Sequence, residues 1–144
     1  MKPILLILPV ATLFLACSAN PEPIQYGKDN CHVCKMTLMD RKFGAELVTT
    51  KGMIYKFDDV NCMVNFLNSG FLEDREVKHK LVVDYSQPEK LVQAGEAFYV
   101  KSSEIKSPMA SQVAGFETYE TMKQYSKDLN GIYLTWGELI TQFK

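Results

Sequence analysis

The sequence of 144 residues lacks a basic run: 16 Lys and Arg are set against 17 Asp and Glu, for a net charge of −1. Nucleic acid is held through many Lys and Arg contacts to phosphate, so it is excluded as a partner. The chain also has no phosphate-cradling glycine loop and no nucleophile motif, and its carboxylates are scattered rather than paired. Catalysis is therefore not expected. Low-complexity tracts are missing outside residues 18–27. With 47% hydrophobic and 23% charged residues, the composition is that of a globular chain and excludes disorder. The length suits one compact domain or two small halves. No apolar run reaches the ~20 residues that a membrane-spanning helix needs. What is abundant is sulfur: four Cys and seven Met.

The first cysteine belongs to export. Met1-Lys2 is a short positive start, Pro3–Ala16 is almost wholly apolar, and Cys17 follows a small residue. The run is short for a membrane span and has the layout of a signal peptide. Phe14-Leu15-Ala16-Cys17 resembles a bacterial lipobox, which implies cleavage after residue 16 and lipidation of Cys17. Residues 17–27 then form a lipidated N-terminus and tether, and residues 28–144 the folded domain. The compartment is the cell envelope, where disulfides persist.

Within the domain, Phe43, Ala45, Leu47 and Thr49 alternate with polar or small residues, as do Met53, Tyr55 and Phe57. These are two strands around a Lys51-Gly52 turn. Asp58-Asp59 offers a helix N-cap, and Val60, Met63, Val64 and Leu67 have helical spacing up to Gly70. Val77–Tyr85 alternates as a third strand, and Pro88 closes the unit. The order is looser afterwards: a strand over Ala97–Lys101, a long loop over Glu104–Gly115, a helix over Glu117–Leu129 and a strand at Ile132–Leu134. A last short helix starts at the capping-box spacing of Thr135 and Glu138. The expected fold is α+β, with two small ββαβ-like halves (about 28–92 and 93–144) packed as one compact domain.

The chemistry is concentrated in Cys31-His32-Val33-Cys34-Lys35-Met36. A structural zinc site would need four N/S ligands, and only Cys62 with His32 or His79 is available to complete one. A thioredoxin-like pair would open a helix, where the dipole lowers a thiol pKa; a structural Cys31–Cys34 disulfide is a third reading. The fourth uses Met36. Residues two apart on an extended segment share a side, so Cys34 and Met36 would converge on one atom. Thiolate with thioether is a soft donor set that selects Cu(I). An incomplete shell of this kind suits a metal that must be handed on.

The sequence resembles the NosL family, the copper-binding lipoproteins of nitrous oxide reductase assembly. The resemblance rests on the Cys17 lipobox, Cys31-His-Val-Cys34-Lys-Met36, Phe57-Asp58-Asp59 with Cys62-Met63, and Phe98-Tyr-Val-Lys101 with Ser107-Pro108-Met109. It implies two ββαβ halves, similar in topology to part of organomercurial lyase. It also implies a lipoprotein of the bacterial envelope, facing the periplasm from the outer membrane. Such a protein binds one Cu(I) and delivers it for maturation of nitrous oxide reductase through an ABC-type assembly complex. The family's Cys-x-Met ligands fall on Cys34 and Met36; where the family often has Gly between them, this chain has Lys35. Cys31 and Met109 are further candidate ligands, and His32 a weaker one. Cys62 and His79 are read as core residues. The rival reading is an envelope thiol–disulfide redox lipoprotein that uses Cys31 and Cys34.

Overall fold

The computed structural model describes residues 19–143. The expected signal peptide over 1–16, the lipidated Cys17 and Ser18 lie outside the described residues. Among the described residues no helix is long and apolar enough to cross a membrane.

The chain builds the same path twice. In the first half, β1 (Ala45–Thr49) and β2 (Ile54–Phe57) form an antiparallel hairpin with Ala45 opposite Phe57 and Leu47 opposite Tyr55. Ala45, Leu47, Tyr55 and Phe57 are all buried, so the alternation read from the sequence becomes one apolar sheet face. Helix α1 (Val60–Asn68) follows, and β3 (Val77–Val83) returns antiparallel to β1. In the second half, β5 (Phe98–Lys101) pairs with β6 (Val113–Phe116), helix α2 (Tyr119–Asp128) follows, and β7 (Ile132–Leu134) returns to β5. Each half is thus a hairpin, a helix and a third strand beside the hairpin's first strand. The architecture is α+β with two ββαβ units, as expected.

Two strands differ from expectation. The chain does not end its first sheet at Pro88: β4 (Leu91–Gln93) pairs with β3, giving the order β2-β1-β3-β4. Strand β6 lies within and just beyond the stretch read as a loop over 104–115. Its four residues Val113-Ala-Gly-Phe are too few to display a period, and Gly115 weakens the signal. That glycine sits in close packing: a Cβ there would lie 3.3 Å from Val82 Cγ2 and 3.4 Å from Tyr99 Cε1.

The sheets meet at a parallel bridge between Asp84 and Gly115, where Tyr85 N–H donates to the Gly115 carbonyl at 2.8 Å. The buried Asp84 carboxylate accepts from Ser86 N–H, Ser86 Oγ and Glu117 N–H, fixing the crossover from one unit to the other. The main core gathers Leu47, Phe57, Val60, Met63, Val64, Tyr99 and Leu139. A smaller one, with Phe43, Val100, Phe116 and Met122, lies under α2. Helix α3 (Trp136–Gln142) opens on the Thr135–Glu138 capping box and lays Trp136 near Tyr99, with ring centroids 6.0 Å apart.

The segment read as a tether is docked from Ala19 onward. Ile24 is buried, Glu22 N–H donates to Glu46 Oε1 at 3.0 Å, and Lys78 Nζ donates to the Ala19 carbonyl. Lys56 Nζ holds the Pro23 carbonyl, and Tyr26 Oη donates to the Phe43 carbonyl. Free reach is therefore not available from residues 19–27. The apolar Ile24 and Tyr26 within a polar stretch are what anchor it.

Candidate metal centre

Residues 27–38 form a narrow loop laddered on itself. Gly27 N–H donates to the Leu38 carbonyl, Leu38 N–H to Asp29, and Asn30 bridges Thr37. At the tip, Cys31 N–H donates to the Met36 carbonyl at 2.8 Å and Lys35 N–H to the Cys31 carbonyl at 3.0 Å. Lys35 closes this turn at φ +65°, in the left-handed region that favours glycine. The extended Cys34–Lys35–Met36 segment assumed from the sequence is therefore not formed: the chain reverses at Lys35. That geometry also accounts for the glycine that the resemblance expects here. The Lys35 ammonium is turned back onto the His32 carbonyl.

The turn sets Cys31 and Cys34 against the start of α1. The sulfurs of Cys31, Cys34 and Cys62 and a carboxylate oxygen of Asp58 all lie within 4.8 Å of one another. Cys34 Sγ donates to Asp58 Oδ2 at 3.4 Å. Cys31, Cys62 and Asp58 are buried and Cys34 is half-buried, and all three cysteines are free thiols. Asp58 precedes the helix and Cys62 sits in its first turn, so their i, i+4 spacing brings both to one end of α1.

The group is electrostatically uneven. A hydrogen bond from the Cys62 thiol, aided by backbone N–H groups of Cys34, Asp58 and Val33, pulls the Cys31 thiol down to about 6 in spite of burial. Burial and the neighbouring Cys31 and Asp58 push Cys34 up to about 11. Cys62 is driven upward as well, first by its hydrogen bond to Cys31 and then by burial. Cys31 is thus the most acidic of three clustered thiols, with the Asp58 carboxyl group beside them accepting from Cys34. A thiol of lowered pKa gives up its proton more readily to a soft cation or for attack on a disulfide.

The other candidate residues lie outside this group. Met36 lies at the loop tip and is 54% exposed. Met109 is half-buried and packs against the core that contains Cys31 and Cys62. Its loop is clamped to α1: Asp59 occupies the N-cap position, yet its carboxylate makes no cap bond. The Asp59 carboxylate instead accepts from Met109 N–H at 3.1 Å, Ser111 N–H at 3.4 Å and Ser111 Oγ at 2.7 Å. Asn61 Nδ2 adds a bond to the Met109 carbonyl at 3.1 Å. The expectation that the aspartate pair caps α1 is corrected accordingly. His32 is outside the four-residue group, its ring packed edge-on against Tyr55 and Phe66 at 4.7 and 5.1 Å. His79, read as a core histidine, is only half-buried and faces Gln93.

Two members of the group were not among the copper ligands expected from the sequence. Cys62 reads as a core thiol because it falls on the buried face of an amphipathic helix, and Asp58 reads as a cap. The Asp58-x-x-x-Cys62 spacing directly after a strand was the available signal.

A small α+β domain with a cluster of free thiols at one loop–helix junction is the class that fold and site define. Within that class, the NosL family model matches residues 23–143, and the chain belongs to the NosL family. The fold is similar to the crystal structure of the copper chaperone NosL from Shewanella denitrificans, with a TM-score of 0.69 at 20% identity. That match covers 84% of this chain and 96% of the other. No curated protein matches the sequence.

Proposed function

We propose that this protein is an envelope metallochaperone, a carrier and not an enzyme, whose cargo is Cu(I). The observation that carries the reading is the cluster of the Cys31, Cys34 and Cys62 sulfurs within 4.8 Å of one another, on a loop whose tip also carries the exposed Met36. Soft sulfur donors select Cu(I) over harder ions. Cys34 and Met36 are the principal ligands in this reading, with Cys31 supplying the first thiolate and Met109 a further thioether. The family membership and the fold shared with a copper chaperone support the same cargo. Lipidated Cys17 holds the protein at the envelope, on the outer membrane facing the periplasm. A partner takes the ion by ligand exchange at the exposed Met36 edge. The recipient is the ABC-type assembly complex that serves nitrous oxide reductase.

A second reading has a specific observation in its favour: a thiolate at Cys31 beside the Cys34 thiol is also the arrangement of a thiol–disulfide exchange pair. Met36→Ala separates the two. A carrier loses Cu(I) affinity while its Cys31/Cys34 redox potential stays unchanged. If the variant retains full Cu(I) affinity, Met36 is no ligand and the redox reading gains.

A further inference from the structure

The segment over residues 19–26 crosses the face of β1 that carries Glu46, against the strand's direction, and three contacts fix its course. Ile24 lies over Gly44, where an added Cβ would meet Ile24 Cδ1 at 2.9 Å. Glu22 N–H donates to the fully buried Glu46 at 3.0 Å, and Lys78 Nζ holds the Ala19 carbonyl at 3.0 Å. Lys78 follows Val77, which is paired with Thr49 at the far end of β1. Ala19 thus lies at the end of the domain that carries the β1–β2 turn. Thr49 N–H closes that turn on the Met53 carbonyl, and Thr50 N–H donates to the Glu76 carbonyl beside it. Two large apolar side chains stand out here: Met53 is 56% and Phe71 64% exposed. The Phe71 ring lies 6.3 Å from that of Tyr55, whose hydroxyl reaches Met53 Sδ at 3.9 Å, so the two flank one tyrosine. Lys51 and Lys78 are exposed at the same end, while the carboxylates of Glu73 and Asp74 are already paired with Arg75 and Lys80.

We propose that this docked strap turns the β1–β2 turn end of the domain to the phospholipid bilayer, with Met53, Phe71, Lys51 and Lys78 as the contact surface. The inference rests on the reading of Cys17 as lipidated, and adds which face of the domain meets the membrane. Only Ser18 separates Cys17 from Ala19, and two chain steps span at most about 7.6 Å. A lipid that close to Ala19 leaves the domain no room to swing free while the strap stays docked. The chemistry of this end suits the partner. Apolar side chains at a membrane surface sink about 5–10 Å into the boundary between headgroups and acyl chains, as Met53 and Phe71 would. Lysines lay their stems on lipid and keep their ammonium groups among the phosphates, which suits Lys51 and Lys78. The same orientation keeps the thiol centre clear of the bilayer: Asp58 lies beyond Met53 by roughly 16 Å of extended strand.

The test is hydroxyl-radical footprinting of the lipidated, metal-free protein on phosphatidylethanolamine–phosphatidylglycerol vesicles, read by peptide mass spectrometry against soluble Cys17→Ser. Labelling follows exposed area, so covering Met53 and Phe71 should slow theirs about fivefold. Met36 and Met39, exposed in the segment that leads into the opposite end of β1, should keep their rates. Glu22→Pro with Ile24→Asp undocks the strap and leaves the contact surface intact. That variant should still float with vesicles and lose the protection of Met53 and Phe71. Equal protection of all four residues, no protection of Met53 and Phe71, or protection that survives undocking would overturn the proposal. Protection of the same pair in soluble Cys17→Ser as its concentration rises would assign the face to a second copy, and overturn it too. Vesicle flotation and the mass of the N-terminal peptide keep two failures apart. Floating, lipidated protein with Met53 and Phe71 open sinks this inference alone, whereas a chain without lipid on Cys17 sinks the anchor reading and this inference with it.

Discussion

Asp59 Oδ1 accepts from Ser111 Oγ at 2.7 Å, across 52 residues of sequence. This one contact and its neighbours fasten the Pro108-Met109 loop of the second ββαβ unit to the helix that carries Cys62 in the first. The candidate centre is therefore assembled from three separate segments: the Cys31–Met36 turn, the start of α1 and the Met109 loop.

Removing that fastening should cost stability and loosen the loop. Asp59 is fully buried, and Asp59→Ala leaves the Met109 and Ser111 donors without their acceptor. Buried groups left unsatisfied cost about 1–3 kcal/mol each, so a loss of at least about 2 kcal/mol is expected. Urea unfolding of the variant measures it. Unchanged stability would mean that the clamp contributes nothing.

Lys35 occupies a glycine's conformation. A side chain in the left-handed region costs roughly 1 kcal/mol, and the extra freedom of unfolded glycine returns part of it. Lys35→Gly should stabilise the domain by about 0.5 kcal/mol and leave Cys31 N–H bonded to Met36. A shift of the denaturation midpoint to lower denaturant would contradict the strained turn.

The thiol centre predicts a pH signature for the reduced, metal-free protein. Cys31 falls from its ordinary 9.0 to about 6, so below pH 6 folded and unfolded chains both hold its proton. Between pH 6 and 9 the unfolded chain binds more protons, and stability rises with pH. This contribution is complete above 9 and is lost as pH falls through 6. Cys34, pushed up to about 11, acts in the opposite sense above pH 9. Thiolate absorbance should show one cysteine ionising near pH 6, and Cys31→Ser should abolish both that step and the rise in stability. Three cysteines titrating together near 9 would refute the arrangement.

Gly131 provides a control remote from the centre. A Cβ there would lie 2.3 Å from Val100 Cγ1 and 3.2 Å from the Lys101 carbonyl, at the α2–β7 junction. Gly131→Ala should destabilise the domain by about 1–3 kcal/mol through overpacking while metal affinity in the folded fraction is unaltered. Calorimetry combined with metal titration checks both parts.

The fold was legible wherever period carried the signal. Leu47, Tyr55 and Phe57 alternate cleanly, and Val60, Met63 and Val64 recur at helical spacing, so the first hairpin and α1 follow from the sequence. Strands β4 and β6 have three and four residues, too short for any period to register. They exist because β3 and β5 offer them edges. At the centre, Cys31 and Cys34 were legible from their pairing. Cys62 and Asp58 were not, since a buried cysteine on a helix and an aspartate before one each have an ordinary structural use. The turn at Lys35 was hidden for a related reason: nothing in Cys-Lys-Met signals a left-handed residue when glycine is absent. The docking of residues 19–27 depends on Glu46 and Gly44, which lie beyond any local pattern. A Cβ on Gly44 would come within 2.9 Å of Ile24 Cδ1.

The central claim is a Cu(I) site built on Cys34 and Met36. Its most direct test is an anaerobic Cu(I) titration of the reduced protein, competed with a chromogenic chelator, for wild type, Cys34→Ala and Met36→Ala. One Cu(I) bound tightly by wild type, with affinity sharply reduced in both variants, is the expected result. Equal affinity in all three proteins would contradict the account.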